Sequence, residues 1–277
     1  MTTHILRIDC PDRAGLIHSV TGVLLGYGLN IVSNSEFVEQ ETRRFFMRTQ
    51  FAGTVDAGRV TDDLKSVLPE ETTIRLTPAG DRDIVMLVTR EPHCPGELFI
   101  RHAFGELGAR IRAVIGNQIA LAPLARQFGI PFHHVSHEGL SRAEHEAAVV
   151  EVLAGYDPEY IVLAKYMRIL SPEFVAHFPE RIINIHHSFL PAFIGANPYR
   201  QAFERGVKMI GATAHFVTDY LDEGPIIAQG IIPVDHTHTA AEMAHAGRDV
   251  EKIVLARALR LVFDERVFLT GRRAVIL

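Results

Sequence analysis

Five short apolar runs, Ile84–Val88, Ile111–Ile115, Phe132–Val135, Tyr160–Ala164 and Ile182–Ile185, recur along this chain with helix-length stretches between them. Continuous apolar runs of this length suit strands covered on both faces, and strands separated by helices do not pair as tight hairpins. The pattern predicts a mainly parallel sheet with helices on both faces. Helix starts are marked by Ser141 with Glu144 and Thr239 with Glu242, which fit capping boxes, and by Ser171-Pro172 and Asn197-Pro198, which put a cap residue before proline. At the end, Val267–Thr270 and Ala274–Leu277 flank Gly271-Arg272-Arg273 as a hairpin would.

Ahead of the breaker-rich Thr77-Pro78-Ala79-Gly80-Asp81 the pattern is different. Ile5–Cys10 predicts a strand and Pro11-Asp12-Arg13-Ala14-Gly15 a turn, after which Ile17, Val20, Leu24 and Tyr27 recur at helical spacing. Asn30–Val38 and Arg44–Phe51 predict two more strands, the second with Phe45, Met47, Thr49 and Phe51 on one face. A helix over Asp56–Leu68 and a strand over Thr72–Leu76 complete the order βαββαβ, that of a ferredoxin-like unit. The expected fold is therefore α/β: a ferredoxin-like domain over 1–80, then a Rossmann-like, mainly parallel sheet over 82–277. A chain of 277 residues is long enough for two cores.

Charge and composition narrow the partners. A formal net charge of −5 with both signs interspersed leaves no basic footprint for nucleic acid or an anionic membrane. Met1–Gly15 has no apolar leader core, and Lys165, Arg168 or glycines interrupt the apolar runs before spanning length, so a cytoplasmic protein is expected. Cys10 and Cys94 fall in different expected domains and should be reduced thiols. The densest histidine groups are His133-His134 with His137, and His236 and His238 with His245. They lack a His-Glu-x-x-His pattern or a cysteine partner, and no metal is expected.

Two segments are best placed for chemistry: Asn184-Ile185-His186-His187-Ser188-Phe189-Leu190-Pro191 and Leu221-Asp222-Glu223-Gly224-Pro225-Ile226-Ile227. Ile182–His186 predicts a strand, so Asn184 and His186 share a face, roughly 6 to 7 Å apart, and one carbonyl oxygen can touch both. His187 is expected on the opposite face, in a structural role. Asp222 lies in a loop closed by Gly224-Pro225, ahead of the apolar run Ile226–Val234, where a rigid scaffold holds catalytic groups well. Amide, imidazole and carboxylate together can polarise a carbonyl and move its protons. Taken alone, Asn184 and His186 more often satisfy backbone groups at a strand end, and Asp222 makes a turn; the third residue is what shifts the reading toward chemistry. Open parallel sheets bind ligands beyond the carboxyl ends of their strands, which is where this pair falls.

Asn-x-His-x-Ser-x-Leu-Pro followed by Asp-x-Gly-Pro-Ile-Ile, with Ala164–Pro172 and Gly211–Thr218 in order, resembles the folate-dependent formyl transferase and hydrolase superfamily over nearly all of 82–277. The resemblance implies that Asn184 and His186 stabilise an oxyanion while Asp222 orients His186 and relays protons. It also implies that Met167, Arg168, Ile169, Leu170 and Gly224 bind the folate, and that His215 supports the site from behind. The apolar members of that set would suit ordinary core as well. Pro-Asp-Arg-x-Gly-Leu before the first helix and Gly-x-Asn-Ile after it resemble an ACT domain. This implies either an assembly role alone or an amino-acid effector held by Asp12, Gly15 and Asn30 across an interface between copies, and a homo-oligomer in both cases.

The superfamily's ribonucleotide transformylases hold a substrate phosphate on a glycine-rich loop after the first strand of this domain. Here Thr89–Leu98 carries Pro92 and Pro95, which lack amide donors, and Glu91 and Glu97, which repel an anion. Side chains of Arg90, His93 and Arg101 remain able to hold one. Water is then the expected acceptor, with 10-formyltetrahydrofolate hydrolysed to formate and tetrahydrofolate and no cofactor beyond the folate substrate. By resemblance the formate would feed purine synthesis and the reaction would balance the one-carbon folate pool. The alternatives are formyl transfer to an amine and a noncatalytic folate or amino-acid sensor.

Overall fold

A computed structural model of the protein describes residues 2–192 and 198–277, so the expected cap at Asn197 lies outside the described residues. Two compact units result. In the first, β1 (Thr3–Pro11), α1 (Leu16–Gly26), β2 (Asn30–Glu39), β3 (Arg44–Ala52), α2 (Ala57–Val67) and β4 (Thr73–Pro78) follow the expected order. The strands form an antiparallel sheet ordered β2-β3-β1-β4. Alternate residues Leu6, Ile8 and Cys10 of β1 and Phe45, Met47 and Phe51 of β3 meet Leu16, Val20 and Leu24 of α1 and Val60 and Leu64 of α2 in one core. The buried stripe of α1 thus begins at Leu16, where the helix starts; the expected Ile17 and Tyr27 are 43% and 37% exposed. Thr77 and Pro78 extend β4 instead of joining the linker.

The first unit ends at Gly80 but also takes in Asp264–Phe268 and Val275–Leu277. This differs from a single cut after residue 80, and the cause is a buried carboxylate. Glu265, with a fully buried side chain, accepts from Arg7 Nη1 at 2.9 Å and faces Arg75 Nη2 at 3.3 Å, while Phe268 packs 5.5 Å from Phe46.

The second unit is built on a seven-stranded sheet. Its elements are β5 (Arg82–Val88), α3 (His93–Ala103), β6 (Ala109–Gly116), α4 (Ala122–Gln127), β7 (Phe132–His134), α5 (Arg142–Ala154), β8 (Tyr160–Leu163), α6 (Pro172–His177) and β9 (Ile182–His186). They continue with α7 (Pro198–Glu204), β10 (Met209–Phe216), β11 (Ile226–Pro233) and α8 (Ala240–Phe263), and the chain closes with β12 (Val267–Thr270) and β13 (Arg273–Ile276). The order is β11-β10-β9-β8-β5-β6-β7, parallel from β9 to β7 and antiparallel where β10 joins β9 and β11. Val85, Leu87, Ile161 and Leu163 pack on one side with Val149 and Leu153 of α5 and Phe174 of α6. Their neighbours Ile84, Met86 and Val162 are fully buried too, as strands covered on both faces require. The Ser141–Glu144 capping box forms on α5, Ser171 caps α6, and Thr239 and Glu242 exchange bonds at the start of α8.

Candidate active site

Asn184 and His186 come from the last turn of the β9 pleat, and the antiparallel register sets His215 of β10 directly opposite Asn184 and Thr213 opposite His186. Directly opposed residues on one face are close enough to bond. Asn184 Nδ2 lies 3.2 Å from His215 Nε2, and His215 Nδ1 lies 2.8 Å from the Phe216 carbonyl. Burial pushes the His215 imidazole below its ordinary range against the opposing pull of that carbonyl, which favours the neutral ring. Its single proton belongs on Nδ1, where it donates to Phe216. Nε2 then accepts from the Asn184 amide, which fixes which end of that amide is nitrogen and leaves its second N–H without a partner among the described residues.

Asp222 enters from the loop between β10 and β11. Its backbone sits at φ +56, a left-handed conformation that aspartate tolerates better than most residues. Gly224 explains how the loop closes. A Cβ there would stand 1.7 Å from the Phe216 carbonyl oxygen, so only glycine lets the chain lie this close to β10, and the Phe216 N–H donates to the Pro225 carbonyl at 3.0 Å. Asp222 Oδ2 thereby comes within 3.2 Å of His186 Nδ1, and Oδ1 within 3.7 Å of His215 Nε2. Burial alone would raise the Asp222 carboxyl, but the His186 bond and the imidazoles around it outweigh that and leave it below the usual carboxylate range. Nε2 of His186 is buried and has no hydrogen-bond partner among the described residues.

Behind β9, Thr213 holds the following turn: its hydroxyl donates to the Ser188 carbonyl and accepts from the Leu190 N–H. These bonds keep the strand end rigid, and rigidity is what a constellation of this kind needs.

The three groups line a cavity of about 950 Å³. Met167, Arg168, Ile169 and Leu170 line it as well, Met167 and Ile169 with 55% and 59% of their surfaces exposed. Leu170 serves both purposes, since it also packs on the core beneath. The Met167 N–H donates to Thr89 Oγ1 at 3.0 Å, tying this wall to the end of β5. Gly224 is not among the lining residues; it is buried and acts on the loop that carries Asp222. His187 also departs from expectation. β9 ends at His186, alternation ends with it, and His187 lines the same cavity with its ring 5.3 Å from that of His186. Burial and the Lys165 charge push its imidazole down to about 4.

A second polar cluster lies on the same cavity wall. Glu251 of α8, 1% exposed, is met by Lys165 Nζ at 3.0 Å, His93 Nε2 at 2.8 Å and the Tyr199 hydroxyl at 2.7 Å. Burial opposes ionisation of Glu251, yet its partners bring it down to about 2. These residues lie 52 to 158 positions from Glu251, so no local motif announces them. Of the three side chains left open to an anion after β5, His93 is held by Glu251 and Arg101 by Glu97 at 2.8 Å. His93, Cys94 and Glu251 offer ligand atoms within 4.8 Å of one another. The Lys165 ammonium already supplies a cation to that carboxylate.

In the first unit, Gly15 starts α1 at φ +89 and the Asp12 N–H donates to the Arg43 carbonyl. Asn30 pairs with Ala52 at the other end of β3. Asp12 and Asn30 are thus separated by the length of a nine-residue strand, roughly 27 Å. Within one copy they do not form one pocket.

Comparison with known proteins agrees with both units. Residues 82–259 match the formyl transferase family and residues 4–69 the ACT domain family. The formyltetrahydrofolate deformylase of Escherichia coli (strain K12) is 57% identical over 273 residues, covering 99% of this chain and 98% of the relative. That of Bacillus subtilis (strain 168) is 42% identical over 277 residues, covering 98% and 92%. The crystal structure of a formyltetrahydrofolate deformylase from Pseudomonas syringae pv. tomato str. DC3000 superposes with a TM-score of 0.95 at 36% identity, covering 100% of this chain and 95% of the other. Glycinamide ribonucleotide transformylase 1 from Symbiobacterium toebii reaches 0.68 at 34% identity, and the match covers 71% of this chain and 94% of that one. No helix among the described residues is long and apolar enough to cross a membrane.

Proposed function

We propose a route by which this chain, which belongs to the formyltetrahydrofolate deformylase family, passes the formyl group of its folate substrate to water. The protein is an enzyme that hydrolyses 10-formyltetrahydrofolate to formate and tetrahydrofolate. In this route the flat pterin lies along Met167 and Ile169, with Arg168 and Leu170 completing the wall. The formyl oxygen points between Asn184 and His186. Water attacks the formyl carbon, and the free N–H of Asn184 donates to the oxygen as charge builds on it. His186, with Nδ1 held by Asp222, uses Nε2 to exchange protons with the reacting atoms. The carbon–nitrogen bond then breaks, the folate nitrogen takes a proton and formate leaves. Oxyanion donation and proton transfer are each worth about 10²-fold or more in rate.

One observation carries the reading: Asn184–His215 and His186–Asp222 are each held at 3.2 Å beside one cavity, and His186 keeps a buried nitrogen unpaired among the described residues. Water as acceptor is further supported by the pairing of His93 and Arg101 with carboxylates, which withdraws two of the three side chains open to an anion after β5; the third, Arg90, lines the cavity. Incubated with 10-formyltetrahydrofolate in amine-free buffer, the protein should release formate and tetrahydrofolate in equal amounts; turnover that depends on added amine would contradict the route.

For the first unit we propose an amino-acid-responsive assembly module of a cytoplasmic homo-oligomer, feeding formate to purine synthesis. The separation of Asp12 from Asn30 supports a site completed only by a second copy. Sedimentation of the full chain with and without individual amino acids tests this, and a monomer that ignores all of them would end it.

A further inference from the structure

Whatever attacks the formyl carbon must reach it through the cavity, and Glu251 is the buried carboxylate on the wall beyond His187. The His187 ring stands 5.3 Å from that of His186 and 6.0 Å from that of Tyr199, whose hydroxyl bonds Glu251. A primary amine that attacked the formyl carbon would be bound more tightly beside a carboxylate that holds its ammonium and takes a proton from it. Of the carboxylates lining the cavity, Asp222 is engaged with His186, Asp219 is exposed and Glu251 is the most buried, with both its oxygens in use. Oε2 accepts from Lys165 and His93, and Oε1 accepts from Tyr199.

The lysine is held there against its own backbone preference. Lys165 has φ +63, a left-handed conformation that a long side chain seldom adopts. Its flanks fix it: Tyr166 packs in the core and the Met167 N–H is tied to Thr89. An ammonium tethered in the chain thus occupies the carboxylate that an incoming amine would bind. The 3.0 Å ion pair holds its nitrogen on the carboxylate.

We propose that Lys165 is the residue that selects water over an amine, by neutralising and occupying Glu251 on the wall of the cavity that holds His186. This rests on the hydrolytic route above. If Lys165 is removed, an ammonium can bind Glu251 and give it one proton, the freed nitrogen bonds to the formyl carbon, the bond from that carbon to the folate nitrogen breaks, and the second proton the amine sheds passes to the folate nitrogen.

Wild type, Lys165→Met and the double variant Lys165→Met/Glu251→Gln are each given 10-formyltetrahydrofolate and glycinamide, and N-formylglycinamide, formate and tetrahydrofolate are measured together. Lys165→Met should form N-formylglycinamide at least tenfold faster than wild type, in proportion to the amine, and the double variant should lose that gain. Folate turnover by Lys165→Met with no gain in formylated amine, or a gain that survives loss of Glu251, overturns the proposal and leaves the hydrolytic route standing. Formylated amine as the main product of wild type would overturn both. Should Lys165→Met not fold, Lys165→Ala purified with methylammonium provides the reading. Its melting temperature should rise with methylammonium or glycinamide while that of wild type does not, and no rise overturns the proposal.

Discussion

The two polar clusters on the cavity wall are built from the same kinds of residue and end in opposite states. Around Glu251, lysine, histidine and tyrosine satisfy every carboxylate oxygen, and the ring nitrogen left without a hydrogen bond, His93 Nδ1, faces the Glu91 carboxylate at 3.6 Å and not the His186 site. Around Asp222, the bonds stop one short: His186 is tied at Nδ1 and open at Nε2, and the Asn184 amide keeps an N–H after bonding His215. A closed network specifies a shape, whereas an open one is poised for a ligand. Burial is similar in both, so the difference lies in which valences are spent.

Substitution should separate the two sharply. On the open side, His186→Ala should lower kcat by about 10²- to 10⁴-fold and Asn184→Ala by about 10²- to 10³-fold, with unfolding midpoints little changed. On the closed side, Glu251→Ala strands the buried Lys165 ammonium and should lower stability by about 3 to 5 kcal/mol, seen as an earlier urea midpoint. If Glu251→Ala instead spared stability and abolished turnover, the contrast would fail.

His187, between the clusters, gives a smaller effect that pH can resolve. Its imidazole falls from the ordinary 6.5 to about 4 on folding. Between those values the unfolded chain binds a proton that the folded chain refuses, so stability should drop as pH falls from 6.5 to 4 and not change further from this cause below it. The contribution is about 3 kcal/mol. Urea melts of wild type and His187→Gln at pH 7 and pH 4.5 should show a shallower acid loss in the variant, and parallel losses would count against a buried neutral ring. Smallest of all, Ser171→Ala removes the α6 cap, which accepts the Phe174 N–H at 3.1 Å, and should cost about 1 kcal/mol in urea unfolding with kcat unchanged.

Legibility in the sequence followed the range of the interactions. Strand β9, the caps of α5, α6 and α8 and the last hairpin rest on neighbours in sequence and are readable there, and so is the meeting of Asn184 and His186 with Asp222. Strand β10 was not read as a strand because Gly211, Ala212 and Ala214 lack the bulk that marks one. It runs between β9 and β11, and a Cβ at Gly211 would stand 2.3 Å from the Gly230 carbonyl, so small residues are required where the pattern asks for large. Its antiparallel direction, which sets His215 opposite Asn184, was hidden with it. His187 was misplaced because a rule of alternation holds only as far as the strand continues. The Glu251 cluster joins α3, α7, α8 and the turn after β8, and no spacing along the chain encodes such a meeting.

The open cluster's claim to the chemistry is tested most directly by single-turnover formate release from 10-formyltetrahydrofolate in ¹⁸O-enriched water, with wild type and folded Asp222→Asn side by side. Wild type should yield formate carrying one oxygen from water per tetrahydrofolate formed, and the variant should be slower by about 10²-fold or more. Labelled formate at nearly equal rates from both proteins would contradict the account.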